Sequence, residues 1–378
     1  MKRDNRVKKF GRIMGVVGGI LLSRMGLSDY ANKKELSGTP KIGKWYAITP
    51  KGAKAADGKP WHGLLKLGTE NKVLVYFLGG GASTDAYTAA RPHGVKDGFY
   101  NAGTKDLDFI VHMGITGNQK RNPFRNWTVL VMQYATGDFH CGDGEFPYQN
   151  LEGKDDILYH YGYRNYTEFM KIAMQYVKQP DELLIAGFSA GGFGVSLLAG
   201  DVVRNYFPKQ KKFTVLVDSS VMLYDKWHET AEKVWHAPKE ISEKLVSDNL
   251  TLDGLQALSK EFRGRVRILF DCSVRDGALA NHQGYLRKGE KTWTDEDGDF
   301  IEELLKKMTA ELLKLPDTGV YIWDGLSFGS QNQSFTMHTI ICADEFDEVE
   351  FDDITIARWA MDAIGGKVKS YGLELLKH

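Results

Sequence analysis

The chain has 378 residues, which is enough for one large α/β domain or two ordinary domains with a substantial core. Its 49 basic and 49 acidic residues balance, so it has no electrostatic footprint for nucleic acid, and a neutral small molecule or polymer is the favoured partner. Three widely spaced cysteines without Cys-x-x-Cys or Cys/His ligand spacing predict neither a disulfide framework nor a metal site.

The first thirty residues are basic and then apolar. Six Lys and Arg residues precede the apolar stretch 13–22, the last of them at its edge, and this stretch is about half the length that spans a bilayer. This pattern predicts a signal or membrane-anchor segment and favours a secreted or anchored protein over a cytoplasmic one. Glycines within the stretch and the lack of an Ala-x-Ala cleavage pattern leave a short packed or peripheral helix as the alternative. Residues 31–378 are predicted to form one domain.

Apolar runs of strand length alternate with helical patterns along the rest of the chain. Strands are predicted at 73–78, 127–132, 183–186, 214–217, 266–270 and 320–323, and helices at 166–177, 190–206, 252–263, 299–315 and 354–364. This alternation predicts an α/β fold of the α/β-hydrolase type, with a mostly parallel sheet flanked by helices. The stretches 83–125, 219–247 and 278–298 break the rhythm, and we expect them to be cap insertions over the active site. For 278–298 an ordinary surface loop is the alternative.

The predicted strand 73–78 leads directly into the glycine run Gly79-Gly80-Gly81-Ala82. Taken alone, such a run is a flexible turn, and the Gly-Lys-Ser/Thr of a phosphate-binding loop is missing. At the carboxyl end of a strand, however, the run exposes backbone N–H groups. Together with the N–H of Ala190, it is predicted to bind the oxyanion of a tetrahedral intermediate.

The strand 183–186 runs into Gly187-Phe188-Ser189-Ala190-Gly191, a Gly-x-Ser-x-Gly motif followed by a helical pattern. An ordinary tight turn against a sheet can match this motif by accident. The strand before it and the helix after it favour a nucleophile elbow, in which a sharp turn holds the serine hydroxyl clear of the sheet. Ser189 is therefore the predicted nucleophile.

A serine nucleophile needs a base and a carboxylate, which in α/β-hydrolases follow it in the chain order acid and then histidine. The strand 266–270 is followed by Asp271 and Asp276. Asp276 is favoured because it lies in the loop beyond the strand, and Asp271 remains the alternative. His338 follows the last predicted strand and is favoured as the base over His282, which lies in the third insertion.

These residues resemble blocks of the pectin acetylesterase family, which includes Notum-type carboxylesterases, over most of the chain from about residue 45 to 346. The shared blocks are Gly79-Gly80-Gly81-Ala82, 122–127, 134–143, 162–165, 187–192 and 217–220, followed by Asp276 and His338-Thr339. The resemblance implies a serine esterase with Ser189, His338 and Asp276 as its triad. It also implies that Gly81, Ala82 and Ala190 form the oxyanion hole, and that Asp138 and His140 order the loop beside the site.

The sequence departs from the family pattern at two places. Ser83 and Ala135 stand where the family's glycine and tyrosine blocks carry cysteines, so the disulfides of secreted eukaryotic members cannot form. The acid region also lacks the aromatic-Gln pair that follows the acid in the family, which keeps Asp271 under consideration.

The predicted activity is carboxylic ester hydrolysis without a cofactor, acting on an ester-bearing small molecule or an acetylated polysaccharide such as pectin. Acyl transfer or removal of a lipid-like acyl group by the same triad are the alternatives, because pocket depth decides acyl length. A catalytically inactive glycan-binding protein is a further reading.

Overall fold

The computed structural model describes residues 33–104, 108–325 and 334–376. The predicted N-terminal signal or anchor, residues 1–30, lies outside the described residues. The strands are β1 (Trp45–Ile48), β2 (Gly63–Lys66), β3 (Lys72–Phe77), β4 (Thr128–Met132), β5 (Gly144–Gln149), β6 (Asp155–His160), β7 (Glu182–Phe188), β8 (Phe213–Asp218), β9 (Val266–Ser273), β10 (Thr318–Trp323), β11 (Glu350–Phe351) and β12 (Ile354–Thr355).

The α-helices lie between these strands and after them. They are α1 (Ala86–Ala89), α2 (Gly162–Ala173), α3 (Ala190–Tyr206), α4 (Trp227–Lys233), α5 (Lys239–Ser242), α6 (Leu250–Glu261), α7 (Gly277–Lys288), α8 (Asp295–Leu312), α9 (Glu345–Glu348) and α10 (Ile356–Ile364). Short 3-10 helices cover Asp108–His112, Gly114–Thr116 and Leu373–Leu376. Among the described helices, none is long and apolar enough to cross a membrane.

The central sheet has eight strands in the order β1-β2-β4-β3-β7-β8-β9-β10. From β4 to β10 every neighbouring pair is parallel, whereas β2 runs antiparallel to both β1 and β4. The inner strands β4 and β8 are buried along their whole length, because each is covered on both faces and consists mainly of apolar residues. This arrangement confirms the predicted mostly parallel sheet and all six predicted strands.

Crossovers from one parallel strand to the next bring the carboxyl ends of β3, β7, β8 and β9 to the same edge of the sheet. Helix α3 follows β7 and has the predicted bounds, 190–206. It packs so closely on the sheet that a Cβ atom on Gly191 would lie 2.0 Å from the carbonyl oxygen of Phe77. Glycine at this position is therefore a packing requirement.

Besides the short strands β1 and β2, which were not predicted, two further differences separate the structure from the sequence prediction. The stretch 278–298 is largely helical, because α7 begins at Gly277 with Asp276 as its N-cap and α8 begins at Asp295. The hairpin β5–β6 was not predicted. Its alternating half-exposed pattern belongs to a two-stranded sheet outside the core, and such a pattern lacks the continuous apolar run of a buried strand.

Candidate active site

Ser189 occupies the sharp turn between β7 and α3. Its backbone has φ 51° and ψ −127°, a conformation that L-residues rarely adopt, and its N–H donates to the carbonyl of Asp218 at 2.8 Å. The Ser220 hydroxyl donates to the carbonyl of Ser189 at 2.7 Å. Backbone strain of this kind persists only where surrounding contacts hold the residue in place, and a strained serine is typical of a nucleophile elbow.

The glycine run passes beside the serine. A Cβ atom on Gly79 would lie 2.7 Å from the Cβ of Ser189, and Gly81 has φ +82° with the carbonyl oxygen of Phe99 only 1.8 Å from a Cβ position. Within the described residues, the backbone N–H groups of Gly80, Gly81 and Ala190 have no hydrogen-bond partner. Ala190 also opens α3, whose N-terminus favours negative charge.

Ala82 differs from the other predicted oxyanion donors. Its N–H donates to the carbonyl of Phe99 at 3.0 Å, because the run pairs there with residues 99–101 in an isolated bridge. Its donor is therefore used within the fold, so this conformation does not offer the Ala82 amide to an oxyanion as predicted. The Gly80 amide, which the sequence prediction included only as part of the glycine run, joins the candidate donors.

His338 is held by Asp276. The Nδ1 atom of His338 lies 2.7 Å from Oδ2 of Asp276, a fully buried carboxylate whose other oxygen accepts the N–H groups of Ala278 and Leu279 at 3.0 Å. A carboxylate at Nδ1 fixes the proton on that nitrogen and leaves Nε2 as the basic atom. Burial lowers the pKa of His338, but Asp276 and then Asp218 outweigh burial and raise the pKa above its usual value.

The loop that carries His338 is joined to the end of β9. Thr336 bridges to Asp276, and the hydroxyl of Ser273 donates to the carbonyl of Met337 at 2.7 Å. The structure therefore brings Asp276 to His338, whereas Asp271 lies further back on β9 and accepts a hydrogen bond from the indole N–H of Trp323 at 3.3 Å.

Ser189 and His338 line one cavity of about 390 Å³, together with the glycine run and Ala190. All three predicted insertions contribute to its wall. The described residues show no direct hydrogen bond between the Ser189 hydroxyl and His338. In free enzymes such catalytic bonds are often long and tighten only when substrate binds. The apolar wall consists of Phe139, Phe188, Phe193, Met222, Leu279 and Trp293.

Another part of the cavity wall is basic. His93, His282 and Lys291 line the cavity, and each histidine has its pKa lowered first by burial and then by the positive charge of Lys291. The shift takes the pKa of His282 to about 3, so this ring is neutral. Burial lowers the pKa of Lys291 to about 8, and its ammonium lies 4.1 Å from the ring centre of Phe99.

This basic cluster was not predicted from the sequence. Its members come from two insertions nearly 200 residues apart, so spacing along the chain gives no signal. His282 was considered only as an alternative base. In the structure it lines the cavity wall without a carboxylate beside it, and the described part of the chain supplies no acid to orient it as a base.

Asp138 and His140 serve the loop beside the site. The carboxylate of Asp138 accepts bonds from the Thr136 hydroxyl and from the N–H groups of His140 and Gly162, at 2.6–3.0 Å. His140 Nε2 lies 2.9 Å from the carbonyl of Leu78, and burial lowers the pKa of this histidine to about 4. Within the described ranges no group of His, Cys, Asp and Glu residues is arranged to hold a metal ion.

Comparisons with known proteins bear on the family and the fold. The family model for Pectinacetylesterase matches residues 47–248. The fold is similar to a crystal form of the Wnt deacylase Notum from Drosophila, with a TM-score of 0.58 at 14% identity, covering 86% of this chain and 94% of that one. A second crystal form gives 0.57 at 13% identity, covering 87% and 98%. No curated protein matches the chain.

At these identities the likeness to Notum shows the fold, and it confirms the predicted α/β-hydrolase architecture. The range matched by the family model contains the glycine run and Ser189 and ends before Asp276 and His338. The pairing of Asp276 with His338 is therefore observed in the structure alone, outside the range of that match.

Proposed function

The chain belongs to the pectinacetylesterase family, and from this premise we propose that it is a serine carboxylic ester hydrolase with Ser189, His338 and Asp276 as its triad. The family and the fold support an esterase or deacylase in general. The finer assignment is supported by one observation above all. A serine in a strained elbow and a histidine oriented by a buried carboxylate line the same cavity.

In the proposed reaction, His338 Nε2 takes the proton of Ser189 as the hydroxyl attacks the ester carbonyl. The amides of Gly80, Gly81 and Ala190 bind the oxyanion that forms. The imidazolium then returns its proton to the departing alcohol, which leaves an acyl group on the serine. Water, activated by the same histidine, hydrolyses this acyl-enzyme and restores the free hydroxyl.

The basic cluster in the cavity wall (His93, His282 and Lys291) supports an ester substrate whose alcohol part carries an acidic group. Lys291 forms no direct ion pair with a carboxylate among the described residues, although Asp97 lies near enough to counteract part of the effect of burial on its pKa, and its amine donates to the carbonyl of Gly98 at 2.5 Å. A carboxylate on the substrate would pair with this ammonium and offset the burial that lowers its pKa. We therefore assign the substrate as an acetylated acidic polysaccharide, of which acetylated pectin is one, with the polymer lying along His93 and Lys291.

The apolar wall favours a second candidate, the removal of a longer acyl chain. Phe139, Phe193 and Met222 offer more apolar surface than an acetyl group covers, in a cavity of about 390 Å³. An apolar wall of this kind makes the binding free energy of an acyl chain more favourable with each methylene that it buries. Acyl length therefore separates the two candidates.

The decisive experiment is hydrolysis of p-nitrophenyl esters from acetate to octanoate by the wild type, Ser189→Ala and His338→Ala. We expect activity to be greatest on acetate and to fall at least roughly 10³-fold in both variants. Ser196→Ala is the matched control, because its hydroxyl bonds within α3 to the carbonyl of Phe193. A maximum at longer chains would select the second candidate.

If no ester is turned over and an organophosphonate does not label Ser189, the hydrolase assignment is wrong and glycan binding without catalysis becomes the alternative. Acyl transfer is distinguished by product analysis in the presence of an acceptor alcohol.

The choice of polymer is tested with Lys291→Gln on acetylated polygalacturonate and on neutral acetylated xylan. We expect KM to rise roughly ten-fold on the acidic polymer alone, while Lys306→Gln, on the exposed face of α8, leaves it unchanged. An equal effect of Lys291→Gln on both polymers would contradict the acidic-substrate assignment.

A further inference from the structure

Two buried carboxyl groups lie side by side beneath the base. Asp218 on β8 and Asp271 on β9 are register partners on adjacent parallel strands, and both are fully buried. Within the described residues, neither forms an ion pair with a lysine or arginine. Oδ1 of Asp218 and Oδ2 of Asp271 each lack a conventional donor. Two adjacent negative charges in such a place are too costly for both groups to be ionised.

Asp218 is bonded to both sides of the candidate active site. Its carbonyl accepts the N–H of Ser189 at 2.8 Å. Its Oδ2 accepts the N–H groups of Ile340 and Ile341, each at 2.9 Å, in the segment that directly follows His338. One residue therefore fixes the nucleophile elbow through its backbone and the base-bearing loop through its side chain.

We propose that Asp218 and Asp271 share a single proton, and that this acid–carboxylate pair is a positioning element that fixes His338 relative to Ser189. Asp271 keeps the proton and donates it to Oδ1 of Asp218, which leaves Asp218 as the anion that binds the two amides. The shared proton accounts for the two oxygens without conventional donors. The positioning role rests on the function proposed above, whereas the shared proton does not.

The surroundings of the two groups assign the proton to Asp271. Burial raises the pKa of both carboxyl groups, and the neighbouring Asp218 raises that of Asp271 further. The amides of Ile341 and Ile340, the Ser219 hydroxyl and His338 counteract the shift at Asp218. The titratable groups that face the pair from β3, β9, β10 and the segment around the base are Tyr76, Cys272, Tyr321, His338 and Cys342.

Of these groups, His338 alone becomes a cation during the reaction. The anion on Asp218 therefore adds to Asp276 in stabilising the imidazolium.

The shared proton is tested by infrared spectroscopy of the full chain. The wild type should show the carbonyl stretch of a protonated carboxyl group at neutral pH, and Asp271→Asn should lack it. Since this measurement needs no turnover, its result stands even if the esterase proposal fails. No such band in the wild type, or a band that persists in Asp271→Asn, would overturn the proposal.

The positioning role is tested by kinetics on p-nitrophenyl acetate. Asp271→Asn keeps a donor towards Asp218, so we expect kcat within about three-fold of the wild type, whereas Asp271→Ala removes the donor and should lower kcat roughly ten-fold. Asp218→Asn removes the carboxylate anion at position 218, whose charge acts on His338. It should lower kcat roughly 10–100-fold at constant KM and shift the acid limb of the kcat/KM profile to lower pH.

Thermal unfolding separates these effects from misfolding. Equal losses in the Asn and Ala variants of Asp271, with melting temperatures preserved, would overturn the shared proton. A wild-type kcat and pH profile in Asp218→Asn would overturn the positioning role.

Discussion

The substitution Asp276→Asn separates two functions of one carboxylate. In the structure, Oδ1 caps α7 by accepting the N–H groups of Ala278 and Leu279, while Oδ2 faces Nδ1 of His338 at 2.7 Å. Asparagine retains the capping oxygen but turns an NH₂ group towards the imidazole. This group cannot accept the Nδ1 proton, so the ring adopts the tautomer whose Nε2 carries the proton and cannot deprotonate Ser189.

The expected magnitudes follow from these contacts. The tautomer change should lower kcat roughly 10³–10⁴-fold, which is about 4–5.5 kcal/mol of barrier. The free energy of unfolding should change by less than about 1 kcal/mol, because the helix cap survives. Asp276→Ala should lose as much activity and, in addition, about 2–3 kcal/mol of stability, because the cap and the buried partner of His338 are both removed.

The assay combines kcat on p-nitrophenyl acetate at pH 8 with urea unfolding of the same preparations. Asp201→Asn is the matched control, since it makes the same chemical change at a buried carboxylate that bonds to Tyr166 and does not line the cavity. The reasoning is refuted if Asp276→Asn keeps more than a tenth of the wild-type kcat. It is also refuted if the Ala variant is as stable as the Asn variant.

Three further outcomes are expected. The raised pKa of His338 should place the acid limb of kcat/KM above pH 6.5. By linkage, the same group should stabilise the fold below pH 6.5 and lose this contribution as the pH rises through its folded-state pKa. Measurements of the free energy of unfolding from pH 5 to 9 test this dependence. Gly81→Ala should cost at least about 2 kcal/mol in urea unfolding, because its φ is +82° and Phe99 occupies the Cβ position. Ser220→Ala should cost about 1 kcal/mol and lower kcat more than it changes KM, because the hydroxyl holds the carbonyl of Ser189, and an unchanged kcat would contradict that role.

The sheet was predictable from sequence because its inner strands are buried on both faces. Strands such as β4 and β8 contain continuous apolar runs at 129–132 and 215–217, and the glycines of α3 indicate close packing on the sheet. Strands β1 and β2 are four residues each, too short to give a periodic signal. Helix α7 does carry a signal in the sequence. Asp276 is an N-cap residue type followed by Leu279 and Ala280, but the prediction used this aspartate only as the candidate acid and not as a cap.

Within the site, the order of motifs along the chain predicts which residue types are present, whereas the fold determines which of their groups come into contact. The Ala82 amide was expected to face the oxyanion. In the structure it donates to the carbonyl of Phe99, a residue of the first insertion, and the sequence gives no signal for this contact. Likewise, nothing in the sequence pairs Asp218 with Asp271, because that pairing depends on the register of β8 against β9. Contacts made by backbone groups and by strand register are beyond what spacing can reveal.

The proposed triad is joined across long stretches of chain, since Asp276 and His338 are 62 residues apart and both follow Ser189. Contacts between residues so far apart in the chain form late in folding, because closing a large loop costs chain entropy before the contact can stabilise the fold. The elbow can form when β7 joins β3, but the base reaches it only after β9 and β10 have docked. During refolding, recovery of esterase activity should therefore lag behind the return of helical circular dichroism, which makes catalysis a reporter of the last assembly step.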